Sequence, residues 1–268
     1  MTRRLQITHS TSYRFHQPVA YGLQQLRKTP KTGHGQTIFD WQTQVQGGTR
    51  QLVFEDHHHN SVDLIAFDRH ASEVVITCSG VVLVENANGV VGAHRGAAPL
   101  WLYQRASTLT RAGAGVRALL RGLDGPADLA WLHGLMAAIR AQVPYQLGVS
   151  DATDSAEVAL ARGAGVCQDH THIFLACARE AGFPARYVSG YLMLDDTTQQ
   201  SAMHAWAEAH VQGLGWVGFD VSNGICPDDR YVRVATGVDY SDAAPVTGTR
   251  IGGGTAETLA VQIQVAQQ

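Results

Sequence analysis

The sequence predicts an α+β protein in two parts. An antiparallel, β-sandwich-like part spans residues 1–95, and an α+β part spans residues 96–268. Three observations carry this. Apolar and polar residues alternate at period two in short segments up to about residue 95. Apolar residues then recur at helical period between about residues 127 and 181. Strand-like segments return after that and run to the end of the chain.

In the first part, Leu5 to Phe15 alternates strictly, as does Thr37 to Val45, which is followed by the turn signal Gly47-Gly48. Asp63 to Phe67 and Glu73 to Val84 read as further strands. Short strands at regular spacing with polar turns are the pattern of an antiparallel sandwich. Residues 90–125, rich in Ala, Gly and Arg, form a connector that becomes a short helix. Between Ala127 and Val143, the residues Leu129, Leu132, Leu135, Met136 and Ile139 lie on one helix face, with Asp128 in the first turn and Pro144 as the stop. A second short helix begins at Asp154 or Ser155. A third opens at Cys167, carries Ile173, Phe174, Leu175 and Ala178 inward, and stops at Gly182-Phe183-Pro184. Strands follow at 185–192, 204–211 and 215–220, and again in the tail at 230–235. The last, 258–265, has a β-sheet to pack back on.

Composition narrows the function. With 268 residues, 45% hydrophobic and 16% charged, the chain is large enough for a sizeable core and ordinary for a globular protein. Its net charge of −3 and the lack of any Lys/Arg run exclude nucleic acid and anionic membrane as expected partners. No apolar run approaches the roughly 18–20 residues that span a bilayer. Arg3-Arg4 is followed by an alternating segment rather than an apolar stretch, so a cytoplasmic location is the expectation. The four cysteines, Cys78, Cys167, Cys177 and Cys226, form no CxxC pair and read as free thiols. Exposed strand edges in a β-rich domain make a homo-oligomer an expectation as well.

The chemistry gathers around Gly163-Ala164-Gly165-Val166-Cys167. Two glycines let the backbone bend and approach a substrate closely, and they deliver a cysteine to a helix N-terminus. There the unpaired N–H groups and the positive end of the dipole favour an anion such as a thiolate. His204 and Asp220 follow on neighbouring strand-like segments, which completes the layout of a Cys-His-Asp triad. Gln168 and Asp169 read as scaffolding, and His170 crowds the nucleophile. His172, five residues beyond Cys167, points to another helix face and is a secondary candidate for lining the site. Trp206 has core packing as its first reading and a wall of the active site as its second. Asp239, Tyr240 and Asp242 are tail residues with either a cleft or a plain turn open to them. His57-His58-His59 reads as a solvated turn, because adjacent side chains on a strand diverge and cannot converge on one ion.

The blocks Gly165-Val166-Cys167-Gln168-Asp169, Gly182 to Tyr191, His204-Ala205-Trp206-Ala207-Glu208 and Gly215 to Asp220 resemble the core of bacterial transglutaminase-like cysteine proteases. His9 to Tyr13, Gln24 to Pro30 and Asp56 to Asn60 resemble the β-rich domain that precedes that core, and Gly237 to Asp242 resembles its tail. The resemblance implies a papain-like or transglutaminase-like catalytic core. It makes Cys167 the nucleophile, His204 the base and Asp220 the third member. An oxyanion hole would use the Cys167 N–H and an upstream donor, with Tyr145 the first candidate and Trp131 the second. Where the family has Pro-Thr-Asn, this chain has Val221-Ser222-Asn223, which keeps a hydroxyl and the asparagine. No cofactor and no metal are implied; no acidic loop of calcium-binding type is present in the sequence. The expected reaction is hydrolysis of a peptide, isopeptide or γ-glutamyl amide through a thioester. A transglutaminase with an amine acceptor and a non-catalytic peptide-binding module are the alternatives.

Overall fold

The computed structural model describes residues 2–254 and 257–268. The chain begins with five strands, β1 (Thr2–Leu26), β2 (Gln36–Gln46), β3 (Gly48–Glu55), β4 (Ser61–Phe67) and β5 (Ala71–Glu85), and a short β6 (Val90–Gly92). After a 3-10 turn at Leu100–Gln104 come four helices, α1 (Ala114–Arg121), α2 (Leu129–Gln142), α3 (Ala156–Arg162) and α4 (Cys167–Glu180). Strands β7 (Ala185–Leu192), β8 (Gln199–Gln200), β9 (His204–Val211), β10 (Gly215–Phe219) and β11 (Tyr231–Gly237) follow. The one-turn α5 (Tyr240–Ala243) leads to β12 (Val246–Gly252) and β13 (Glu257–Gln267). No helix among the described residues is long and apolar enough to cross a membrane.

Strand β1 organises the first sheet. Its first half lies between β5 and β13, with Leu5 opposite Val82 and Gln267. The register breaks between Arg14 and Val19, beside Pro18, and the second half pairs with β12 and β4 instead. Alternation puts Leu5, Ile7, His9, Thr11, Tyr13 and Phe15 on the buried face. Tyr13, Phe15 and Val19 of β1 pack with Ile65 and Phe67 of β4 and with Val74 and Ile76 of β5, which gives the first part its own core. The last two strands, β12 and β13, belong to this sheet, while β6 joins the second. Sheet membership therefore crosses the sequence-level boundary at residue 95. The reason is physical: the inner face of β1 needs a partner edge on both sides, and the alternating tail supplies one.

The second sheet has the order β11-β7-β9-β10-β6 and is antiparallel throughout its pairings. One face packs on α4, whose Ile173, Phe174 and Cys177 join Ile139 of α2, Leu160 of α3 and Phe219 of β10. The helix starts are locally encoded. Asp128 accepts from the Trp131 N–H, Ser155 accepts from the Val158 N–H, and Glu157 accepts from the N–H groups of Gly113, Gly115 and Val116 at the start of α1. The other face meets the first sheet through Leu5, Ile7, Val82, Tyr191, Val232 and Val265.

Polar ties join the two sheets. Asn60 exchanges two hydrogen bonds with the backbone of Thr236, at 2.8 Å each. Lys31 donates to the carbonyls of His58 and His59 and to the Asn60 side chain. The expected solvated turn at His57-His58-His59 is thus corrected for His58. It is buried, hydrogen-bonded to the Tyr103 hydroxyl at 3.0 Å and paired with Asp242 at 3.2 Å. The turn is closed by Asp56, which accepts from the N–H groups of His58 and Asn60 and points the His58 ring inward. Beneath the second sheet, Glu208 is fully buried and accepts from Arg186 Nε and Arg233 Nε, at 2.7 Å each. Burial pushes its carboxyl up, but the two guanidinium groups outweigh that and hold it below its ordinary value.

Candidate active site

Cys167 is the first residue of α4, with Val166 as N-cap. The turn before it is held by Asp169, whose carboxylate accepts from the Val166 N–H at 2.8 Å, from Arg162 at 3.2 Å and from the Ser150 hydroxyl. Asp169 is buried and supports the loop rather than the reaction. Gly165 is obligatory there, since a Cβ would sit 2.7 Å from the Asp169 side chain. Cys167 leads the helix, so its own N–H has no partner within the helix and faces outward from the N-terminus.

His204 opens β9, and Asp220 lies just past the end of β10. The two strands are antiparallel, with Phe219 opposite Ala207, so the start of one lies beside the end of the other. His204 Nε2–H donates to Asp220 Oδ2 at 2.6 Å. The same oxygen accepts from Asn223 Nδ2 and from the Tyr231 hydroxyl, each at 2.7 Å, and Asn223 N–H reaches Oδ1 at 3.2 Å. Burial pushes the Asp220 carboxyl up, but these bonds, led by the one from His204, hold it below its ordinary value. Asp220 is therefore a fixed anion.

Burial alone would pull His204 down. Hydrogen bonds to Asp220 and Cys167, and the charges of both, outweigh it and raise the imidazole to about 10. With Nε2 committed to Asp220, Nδ1 is the nitrogen left for Cys167. Trp206 packs beside the His204 ring at 6.2 Å, and Tyr231 crosses Trp206 edge-on at 5.4 Å.

Cys167 and His204 open into a cavity of about 560 Å³. One wall comes from the α4 start, β7, β9 and Tyr240, and the opposite wall comes from the first sheet, including β1, β12 and β13. The sequence reading placed the site wholly in the second part of the chain. The structure makes the N-terminal sheet half of it, through inward-facing His9, Thr11 and Tyr13 and through Gln24 and Lys28.

The structure sorts the remaining candidates. Tyr240 lines the cavity, and burial together with Cys167 raises its hydroxyl. Tyr145 is exposed and is not among the residues lining the cavity; its backbone is bridged to Gly165, and burial and nearby Cys167 raise its hydroxyl too. Trp131 does not reach the site; it stacks on Phe183. Trp206 is buried outside the cavity, because its side chain fills the space over Gly190. His172 is fully buried behind the helix and accepts the Tyr240 N–H at 3.3 Å, so it braces the tail instead of lining the cleft. Asp239 is the N-cap of α5, accepts from Ser241 N–H, and does not line the cleft either. Asp242 accepts from Val238 N–H and meets His58, which is also a bracing role. Ser222 hydrogen-bonds to His170 at 2.8 Å, and His170 donates onward to the Val143 carbonyl. Beside the N-terminal wall residues, Tyr231 is the partner of Asp220 that sequence reasoning missed. Its signal was its place at the head of a predicted strand in the tail, with no local motif to mark it. Among the described residues, no cluster of three or more His, Cys, Asp or Glu side chains is arranged to hold a metal ion.

Comparison with known proteins agrees with this layout. Residues 117–221 match the transglutaminase-like superfamily, and residues 5–83 match the bacterial transglutaminase-like N-terminal region. An uncharacterized protein of Mycobacterium leprae is 28% identical over 98% of this chain and 99% of its own length. An uncharacterized protein of Mycobacterium bovis is 38% identical, but over 44% of this chain and 40% of its own. In structure, the chain is similar to a candidate cysteine protease of Cytophaga hutchinsonii, with a TM-score of 0.81 and 18% identity over 100% of this chain and 91% of that one. That likeness is one of fold.

Proposed function

Because this chain is a bacterial transglutaminase-like protein, a transglutaminase-like core behind the bacterial N-terminal region, we propose that it is a cysteine-dependent amide hydrolase working through a thioester on Cys167. The observation that carries the reading is His204, flanked by the Cys167 thiol on one side and Asp220 on the other, at the edge of a large open cavity.

The steps follow from the geometry. The Cys167 sulfur attacks the amide carbonyl carbon, and its proton resides on His204. The oxygen takes up negative charge, met by the Cys167 N–H at the head of α4, with the Tyr145 hydroxyl, near enough to Cys167 to feel its charge, as the second donor. Collapse breaks the C–N bond, and His204 gives its proton to the departing amine. His204, now neutral, takes a proton from water, which attacks the thioester; the C–S bond breaks and a carboxylic acid leaves. Asp220 keeps the imidazole oriented and stabilises its charged form throughout. An amine in place of water would give transamidation with the same residues. Water is favoured because it needs no second substrate site.

Intact-mass measurement after iodoacetamide at neutral pH tests the nucleophile. One fast-reacting thiol is expected, lost in Cys167→Ala; four equally slow thiols would sink the enzyme reading in favour of a binding module. Mass spectrometry of the products from a glutamine peptide, with and without a primary amine, tests the acceptor. Amine incorporation without hydrolysis would defeat the hydrolase reading.

A further inference from the structure

Lys28 is almost fully buried, yet it lines the cavity that Cys167 opens into. It makes no ion pair among the described residues. Its ammonium donates to the Thr11 hydroxyl at 2.5 Å. That hydroxyl donates to His9 Nε2 at 3.2 Å, His9 Nδ1 donates to the Tyr191 hydroxyl at 3.0 Å, and Tyr191 donates weakly back to the Lys28 carbonyl at 3.4 Å. The ring is closed, and every member except the ammonium has its hydrogen-bonding capacity directed within it. Two of the three ammonium N–H bonds are left over. Burial pushes Lys28 down to about 8, with only the distant Cys78 opposing, so it remains charged at neutral pH. His9 stays neutral, driven down to about 2 by burial and then by Lys28 itself.

A buried, unpaired charge is costly, of the order of several kcal/mol, unless something pairs with it. The other cations on the cavity wall are already paired, His204 with Asp220 and Arg250 with Glu257. The same cavity presents a second unfinished group: Gln24 Oε1, buried with no hydrogen-bond partner. A donor in surplus and an acceptor in deficit line one space beside the candidate nucleophile.

We propose that Lys28 is the anion-recognition residue of this cleft, pairing with a carboxylate carried by the amide substrate while Gln24 Oε1 accepts one of the substrate's N–H groups. This rests on the hydrolase reading and narrows it to carboxylate-bearing amides, such as γ-glutamyl compounds or peptides with an acidic side chain or a free C-terminus near the scissile bond. One ammonium matches one carboxylate, and a carboxylate brings only acceptors to the two free N–H bonds. Thr11, His9 and Tyr191 act as positioning residues that hold the ammonium in place.

The test uses N-iodoacetyl derivatives of ω-amino acids of increasing chain length, each paired with its primary carboxamide. Their alkylation of Cys167 is followed by mass. At one chain length the acid should react roughly tenfold faster than its amide, the size expected of a charge-assisted hydrogen bond. In Lys28→Met the acid-to-amide ratio should fall to about one. An acid-to-amide ratio at or below one for every length in the wild-type protein overturns the proposal without recourse to any variant. So does a preference that survives Lys28→Met, which would point to Arg250 or His204. If Lys28→Met does not fold, protection of wild-type Cys167 from iodoacetamide by glutarate, with glutaramide as the neutral control, decides instead; equal protection overturns it. Plain iodoacetamide reactivity tests the nucleophile alone, so failure of the two readings is distinguishable.

Discussion

The Tyr231 hydroxyl lies 2.7 Å from the same Asp220 oxygen that receives the His204 imidazole. One carboxylate oxygen thus carries three donors, from Tyr231, His204 and Asn223. In Tyr231→Phe, Asp220 loses a donor that favours its charged form. The expected result is a drop of roughly tenfold in Cys167 alkylation or turnover, the worth of one hydrogen bond to a charged group. With one competing donor gone the Asp220 carboxylate is a stronger acceptor for His204, so the high-pH limit of the activity profile should move up. A purely structural tyrosine would change stability and leave that limit in place.

Gly190 stands opposite His204 across β7 and β9. A Cβ there would lie 2.3 Å from the Val232 carbonyl oxygen and 2.4 Å from the Trp206 ring. Gly190→Ala should therefore cost about 1–3 kcal/mol by overpacking, and it should disturb His204 through Trp206. Gly134, inside α2, is the contrast: its nearest neighbour is 3.9 Å from the added carbon. Gly134→Ala should stabilise by about 0.4–1 kcal/mol. Urea midpoints of the two variants check both signs.

His172 governs part of the acid response. Burial lowers it from 6.5 to about 4, with Asp239 and Asp169 opposing. A histidine with a depressed folded value binds its proton more readily in the unfolded chain. Its contribution to stability is full above about pH 6.5 and is lost progressively as pH falls toward 4. The loss amounts to roughly 3 kcal/mol. His172→Gln should flatten the decline of urea stability between pH 7 and 4 by about that amount. An unchanged slope would refute the assignment.

Much of this was legible from the residues. The α4 start was marked by Gly165 and Cys167, the α2 start by Asp128, and the strands by their alternation. These are local signals, and local physics wrote them. His204 and Asp220 were legible because antiparallel neighbours bring their ends together. What escaped was long-range. No pattern within 25 residues says that β1 will change partners beside Pro18, or that β1 is the strand the tail packs back on. Strand β3 escaped as well, since its apolar residues Leu52, Val53 and Phe54 run consecutively and stand exposed. Trp206, His172 and Asp239 stayed open between the cleft and a structural place for a related reason. Nearness in sequence to Cys167 and His204, or to Tyr240, does not say which face of an element a side chain takes.

Strand β13 pairs with β1 from Leu5 opposite Gln267 to Phe15 opposite Glu257, and its Leu259 and Val261 form part of the cavity wall. During synthesis β1 must therefore wait for β13. At about 5–20 residues per second, that interval is on the order of tens of seconds. For the last few seconds of it, about 50 residues of synthesis at that rate, the nascent chain already contains Cys167, His204 and Asp220 but has an unfinished pocket. Folding order thus acts as a timer: Cys167 gains its full enclosure only once β13 has been made.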